Sequence, residues 1–257
     1  MMRQPKQLPL VIHIPHAGTI IPAAEQSAYT NPSAVEAELN RLTDWFTDEL
    51  FAVDGATLCT TPFSRLLVDL ERFTDDVHEP KAQVGQGVIY ENDSLGQRIR
   101  LRPTEKERQR LLSTYYHPKH YDLQAAIANR LKSTGNALLI DAHSFPAEPL
   151  ANESDQGKLR PDICIGTCSN TPPWLATKAQ QLCHANGWTT AINFPYEGCL
   201  VPTAYAGDER VSAVMIEVNR ALYLDQATQA TRPMKNADFE RIKAALHALV
   251  LQLSVIT

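Results

Sequence analysis

The sequence predicts an α/β fold, a single-domain three-layer α/β/α sandwich on a mixed, largely parallel sheet, and three observations carry that prediction. Short apolar runs of strand length alternate with longer segments of helical periodicity. The runs are apolar throughout rather than alternating, the pattern of strands covered on both faces. Polar residues gather where those runs end, as expected of a sheet whose ligand site lies outside the carboxyl ends of its strands.

Taken in order, Leu8 to Ile14 is the first continuous apolar run and reads as a buried strand. "NPSAVEAELNRLTDWFTDELFAV" reads as one helix, with cap-type Asn31 and Ser33 at its start and Val35, Leu39, Leu42, Phe46 and Leu50 three or four apart. "ATLCTTP" and "RLLVDL" read as short strands split by Pro62. From Thr74 to Arg102 the chain is polar and carries Gly85, Gly87 and Gly96, so a long surface segment, a lid, is expected. Pro103 and Thr104 begin a helix to about Ser133, followed by a second buried strand in "GNALLIDAHS". "PDICIGTC" is a third, "PPWLATKAQQLCHANG" a helix ended by Gly187, and "VSAVMIEVN" a fourth strand. A closing helix, "NADFERIKAALHALVLQLS", is capped by Asn236 or Asp238.

The chain of 257 residues fits one large domain or two small ones, and no internal repeat, low-complexity tract or linker divides it, so 1–257 is read as one. A hydrophobic fraction of 44% with 21% charged residues is ordinary for a globular protein. A net charge of -5 gives no support for a nucleic-acid or anionic-membrane partner. No apolar stretch approaches the roughly 20 residues that span a bilayer. No apolar segment of signal-peptide length precedes Pro9, and the five cysteines are an odd number without a CxxC pair. A cytoplasmic protein that binds a small molecule is therefore expected, and nothing in the pattern specifies an oligomeric state.

His16 and His143 follow apolar runs, and Glu217 sits inside "VMIEVN", where burying a carboxylate costs several kcal/mol unless it is paired. A hydrolytic zinc needs three protein ligands and a position open to water, whose pKa it lowers to roughly 7. It also needs a carboxylate that moves protons and a cation that stabilises an oxyanion. His16, His143 and Glu217 could meet at strand ends, and Asp44 on the first helix could supply the carboxylate ligand. Each has a plainer reading: a hydrogen-bonded rim histidine, a solvent-facing aspartate, a glutamate ion-paired to Arg65, Arg72 or Arg220. His117 and His120 of "YYHPKHYDL" read as packing residues because Pro118 spoils regular presentation, and Cys164 and Cys168 as small buried residues. Ser144 lacks a GxSxG elbow.

Seven segments, "IPHAGT", "LTDWFTDELF", "FSRLLVDLERF", "IDAHSFP", "PDICIGT", "NFPYEG" and "IEVNRALYLD", stand in the order seen in the N-formylglutamate amidohydrolases, which the chain resembles from about residue 10 to 225. The resemblance implies an α/β/α sandwich of the phosphorylase/hydrolase-like, zinc-carboxypeptidase-like kind and a zinc-dependent hydrolysis of a small N-acyl amino acid, N-formyl-L-glutamate first. It implies His16, Asp44 and His143 as zinc ligands and Glu217 as the group that activates water and protonates the leaving amine. Arg72 would polarise the carbonyl or bind a carboxylate, and Arg65, Arg220, Asn219 and Tyr205 would contact substrate. His13 would be a strand residue or a support for the ligands, since the match centres on "PHAG". Two departures stand out: Glu71 replaces the usual asparagine of "DLNR", and "GCLVPTAYAG", Gly198 to Gly207, lacks the Arg-His pair of "GGYITRHYG". A binding protein that has lost catalysis and a carboxypeptidase-like enzyme acting on a short peptide remain alternatives.

Overall fold

The computed structural model describes residues 8–225 and 232–255; residues 1–7, 226–231 and 256–257 of the span read as one domain lie outside them. One six-stranded sheet organises the described chain. Its strands are β1 (Leu10–Ile14), β2 (Thr57–Thr60), β3 (Ala137–Phe145), β4 (Ile163–Gly166), β5 (Thr190–Ile192) and β6 (Val211–Asn219), in the order β2-β1-β3-β6-β4-β5. The first four of that order are mutually parallel, β4 runs antiparallel to β6, and β5 is parallel to β4. The sheet is mixed and largely parallel, as the apolar runs predict.

The apolar runs are buried on both faces because each face packs helices. On one side Leu10, Ile12, Leu138, Ile140, Val214 and Ile216 meet two helices, α5 (Pro173–Ala185) and α6 (Phe239–Ser254). Phe239, Ile242, Leu246, Leu249, Val250 and Leu253 line the buried stripe of α6, each contributing roughly 1.5–3 kcal/mol by burial. On the other side Val11, Ala137, Leu139, Val211 and Ala213 pack on Leu123, Ala126 and Ile127 of α4 (His117–Thr134). That second face changes character along the strands. It begins apolar at Val11, Leu139 and Ala213 and becomes polar two to four residues later, at His13, Asp141, His143 and Glu217.

Several elements differ from the sequence reading. The helix expected over residues 31–53 ends at Leu42: α1 spans Pro32–Leu42, and a short α2 spans Thr47–Leu50. The break is made by Asp44, whose N–H bonds His16 O, and by Phe46 at φ 62°. "RLLVDL" is a run of turns rather than a strand, with Leu67 N–H on Ser64 O and Asp69 N–H on Val88 O. Residues 74–102 are irregular as expected but are no loose surface segment, because Val88, Ile89, Tyr90, Ile99 and Arg100 are buried. Their backbone is tied to the first part of the chain by Thr30 N–H on Ile99 O and Leu101 N–H on Ala28 O. The long helix after Pro103 is also interrupted, as α3 (Glu105–Leu111), a π-helical turn over Leu112–Tyr116, and α4. Strand β5 is short, and no apolar run announces it.

Candidate active site

Strands β3 and β6 pair in parallel with His143 opposite Glu217, and β1 places His13 opposite Asp141. Asp141, His143 and Glu217, with the loop after β1 and the turns at 65–72, close over the same end of the sheet and line a cavity of about 760 Å³. His16, Asp44, Arg65, Glu71, Arg72, His143 and Glu217 all face it.

Three potential donors stand together, and each has its other polar atom tied to the protein. His16 Nε2 lies 2.9 Å from Asp69 Oδ1, whereas its Nδ1 is buried without a hydrogen-bond partner. His143 Nε2 lies 3.1 Å from Glu71 Oε1 and 3.3 Å from Asp141 Oδ1, and its Nδ1 is 3.1 Å from Asp44 Oδ2. Asp44 Oδ1 accepts from Arg220 at 2.9 Å, and Asp44 Oδ2 stands 3.8 Å from His16 Nδ1. Outer hydrogen bonds of this kind fix a ring's tautomer and aim its lone pair. Glu71 offers a second carboxylate: one ligand atom each from His16, Glu71 and His143 lies within 4.8 Å of the others, and the same holds for His13, Glu71 and Asp141.

The electrostatics fit a cation. Burial would push Asp69 up, but Arg65 and His16 outweigh it and hold the carboxyl well below its usual range. Asp44 is likewise held low, burial being outweighed by the His143 hydrogen bond and the Arg220 charge. An ionised Asp69 makes His16 Nε2 the donor, which leaves Nδ1 as an aimed lone pair. Burial lowers the His16 pKa, favouring that neutral form. Against burial, Glu71 and Asp141 hold the His143 ring above its ordinary range. Several carboxylates around two imidazoles are an arrangement that a divalent metal ion satisfies, and nitrogen and oxygen donors suit zinc.

Glu217 is 8% exposed, its Oε2 has no hydrogen-bond partner, and burial pushes its pKa up to about 8. No ion pair to Arg65, Arg72 or Arg220 is formed among the described residues, so the structural explanation for a buried glutamate does not hold. Arg72 Nε is also buried without a hydrogen bond, 4.0 Å from Asp69 and 3.8 Å from Glu79. His16, Arg72 and Glu217 thus line one cavity, and each carries a buried atom without a hydrogen bond, Nδ1, Nε and Oε2, where such groups cost about 1–3 kcal/mol each.

The remaining expected contacts fall elsewhere. Arg65 lines the cavity but grips Asp69 Oδ2 through Nε and Nη2 at 3.0 and 2.8 Å. Arg220 has all three guanidinium nitrogens on protein acceptors, namely Ser144, Arg41 O and Asp44, so it braces Asp44 instead of reaching for substrate. Asn219 lies outside the cavity lining, donating to Pro161 O and accepting from Ala221 N–H, because the strand ends there and its side chain caps the following turn. Tyr205 also lies outside it: its hydroxyl donates to Gln124 O on α4. Ser144 Oγ accepts from Arg220. His120 packs as expected, stacked on Tyr116 at 4.1 Å with Nε2 on Leu70 O, and burial pushes it down to about 4. Cys164 is buried, but Cys168 is only half-buried and sits with Sγ 3.6 Å from Cys199 Sγ. Sequence reasoning named Glu71 only as a departure from the family's asparagine, and it missed Asp69 and Asp141 as members of the site. Asp141 was findable, since residues two apart on a strand share a face and place it beside His143.

The family profile described as N-formylglutamate amidohydrolase matches residues 8–224. An N-formylglutamate deformylase of Pseudomonas putida is 31% identical over 238 residues, 88% of this chain and 85% of that one. Its counterpart in Pseudomonas aeruginosa is 29% identical over 231 residues, 86% and 84% of the two chains. The crystal structure of an N-formylglutamate amidohydrolase from Ralstonia eutropha superposes with a TM-score of 0.83 at 26% identity, covering 98% of this chain and 95% of that one. Fold, cavity and relatives together define a hydrolase acting on an amide. Within that class, the chain belongs to the N-formylglutamate amidohydrolase family.

Proposed function

We propose that this protein hydrolyses the amide of an N-acyl amino acid, N-formyl-L-glutamate first, with a zinc ion held by His16 Nδ1, His143 Nδ1 and Asp44 Oδ2. The observation that carries the reading is the set of three buried, unsatisfied atoms, His16 Nδ1, Arg72 Nε and Glu217 Oε2, around one cavity. The names of the relatives support the substrate. Bound there, zinc would supply Lewis-acid polarisation of the carbonyl and a lowered pKa for water.

The chain's own residues do the rest. Glu217, which lines the cavity and whose Oε2 has no hydrogen-bond partner, takes a proton from the water that attacks the formyl carbon. The same carboxyl then gives that proton to the departing nitrogen, so no net proton stays on the enzyme. Its raised pKa, due to burial, puts the acid and base forms within reach of each other near neutral pH, and a neighbouring cation draws it down further towards neutrality. Arg72 presents its guanidinium to the oxygen that becomes negative. Arg65 and Tyr90 hold Asp69, and Asp69 holds His16, so the donors are fixed before substrate arrives.

The test is formate release from N-formyl-L-glutamate by zinc-loaded protein, with Glu217→Gln alongside. The variant keeps its zinc and loses turnover by about 10²–10⁴-fold, the range of a general acid–base group. Unchanged turnover in that variant sinks the mechanism. A binding protein without catalysis would show zinc and ligand affinity but no formate release by the parent protein.

A further inference from the structure

Resting on the amide-hydrolase reading of the same cavity, we propose that Lys81 is the specificity-determining cation. Its ammonium receives the side-chain carboxylate of an acidic N-acyl amino acid, while Arg72 serves the reacting end. Lys81 comes from the 3₁₀ turn Pro80–Val84, within the irregular stretch 74–102, and its side chain lines the cavity.

The arginines that line the wall already have protein partners. Arg65 is engaged with Asp69, and Arg220 with Asp44, Ser144 and Arg41 O. Arg41 donates to Glu38 at 2.8 Å. Arg72 Nε lies 4.0 Å from Asp69, the carboxylate that holds His16, and 3.8 Å from Glu79, so its charge serves the reacting end. Lys81 differs from all of them, for among the described residues its Nζ makes no hydrogen bond and no ion pair. A half-buried ammonium lining a cavity with no direct hydrogen bond or ion pair is poorly solvated, and a ligand carboxylate repairs that deficit. Burial accordingly lowers its pKa.

The surroundings hold Lys81 in place without neutralising it. Glu79 accepts from the Lys81 backbone N–H at 2.9 Å and from Phe73 N–H at 3.0 Å, which fixes the turn and leaves the side chain free. Glu153, the nearest opposing charge across the wall, is occupied by Arg160, Tyr196 and Leu150 N–H. The lining segment Gly198 to Thr203 carries no charged side chain, so no cation there competes for an anion. An acid of glutamate size therefore meets Arg72 near the amide and Lys81 further off, and a neutral amide in place of its side-chain carboxylate forfeits the second contact.

Calorimetric titration of the zinc-loaded protein with L-glutamate and with L-glutamine isolates the one charge. The parent protein is expected to bind glutamate about tenfold or more tighter than glutamine, the scale of a charge-assisted contact in a partly desolvated site. Lys81→Met keeps the apolar stem and should bring the ratio within about threefold by weakening glutamate alone, and Lys81→Arg should restore most of it. A ratio unchanged in Lys81→Met, no discrimination by the parent protein, or no binding of either amino acid overturns the assignment. Formate release from N-formyl-L-glutamate is read separately. Charge-selective binding through Lys81 without turnover would sink the hydrolase reading and keep the assignment, and turnover with Lys81→Met unaltered would do the reverse.

Discussion

Asp44 and Glu71 are both carboxylates beside His143, and their hydrogen bonds separate their tasks. Asp44 has one oxygen on Arg220 and the other facing both imidazoles, the posture of a ligand held from behind. Glu71 faces the opposite ring nitrogen of His143, the posture of a group that orients the ring. Asp44→Asn should therefore reduce zinc affinity by more than about 100-fold, and Glu71→Gln by about 10–100-fold, the loss typical of a partner that orients a ligand. Zinc content after dialysis at graded free metal reads both. The reverse ranking would make Glu71 the ligand and Asp44 its brace. Much of this centre was legible in the sequence, because histidines and a glutamate at the ends of apolar runs have few other reasons to be there. Asp69 and Glu71 were illegible for a physical reason. "RLLVDLER" has the alternation of a strand, and only the turns made by Ser64 O and Val88 O fold its two acids back towards His16 and His143.

The stretch from Asn31 to Val53 shows how periodicity misleads at the scale of an element. Its apolar spacing continues through residues 43–46, so a single helix is the natural reading. A hydrogen bond to His16 O and a left-handed residue at Phe46 override it, at roughly 1–2 kcal/mol for the backbone conformation. The Phe46 ring offsets this by packing 5.9 Å from Phe239 with Lys235 4.9 Å above it. The strand ends, by contrast, were predictable because burial on both faces leaves the chain no alternative. Tight packing there has a price at Gly18, two residues beyond His16. A Cβ at that position would overlap Thr61 O and Phe63 O, both backbone atoms that cannot swing aside. Gly18→Ala should lower stability by about 1–3 kcal/mol and loosen zinc binding through the displaced loop, seen as a lower thermal midpoint together with zinc loss. Wild-type stability in that variant would mean the loop after β1 yields more easily than its contacts indicate.

Taken whole, the molecule joins distant parts of the chain through the site: among the described residues His16 follows β1, the first strand, and Glu217 stands on β6, the last. A ligand that binds only the assembled centre must then stabilise the entire fold. Zinc at about 100 times its dissociation constant should add about 2.7 kcal/mol, and a chain of this size gains about 2–4 °C per kcal/mol. Scanning calorimetry of chelator-treated protein before and after adding zinc reads this directly, and a midpoint indifferent to metal would remove the metal centre from the fold. Among the described residues no helix is long and apolar enough to cross a membrane.

The pairing of β3 with β6 carries one more consequence. His143 and Glu217 face each other because the ladder counts residues, and the count leaves no slack: losing a single residue early in β6 would turn Glu217 to the opposite side, among Ile140, Val214 and Ile216. Lys81 hangs from an irregular stretch with no ladder to keep, where insertions and deletions leave the strands in register. On the roles proposed above, the reaction and the choice of acid would rest on parts of the chain with unequal tolerance for length change. Substitutions confined to the turn Pro80–Val84 would then alter the choice of acid, whereas Val88 and Tyr90, further along the same stretch, hold Asp69 and must stay.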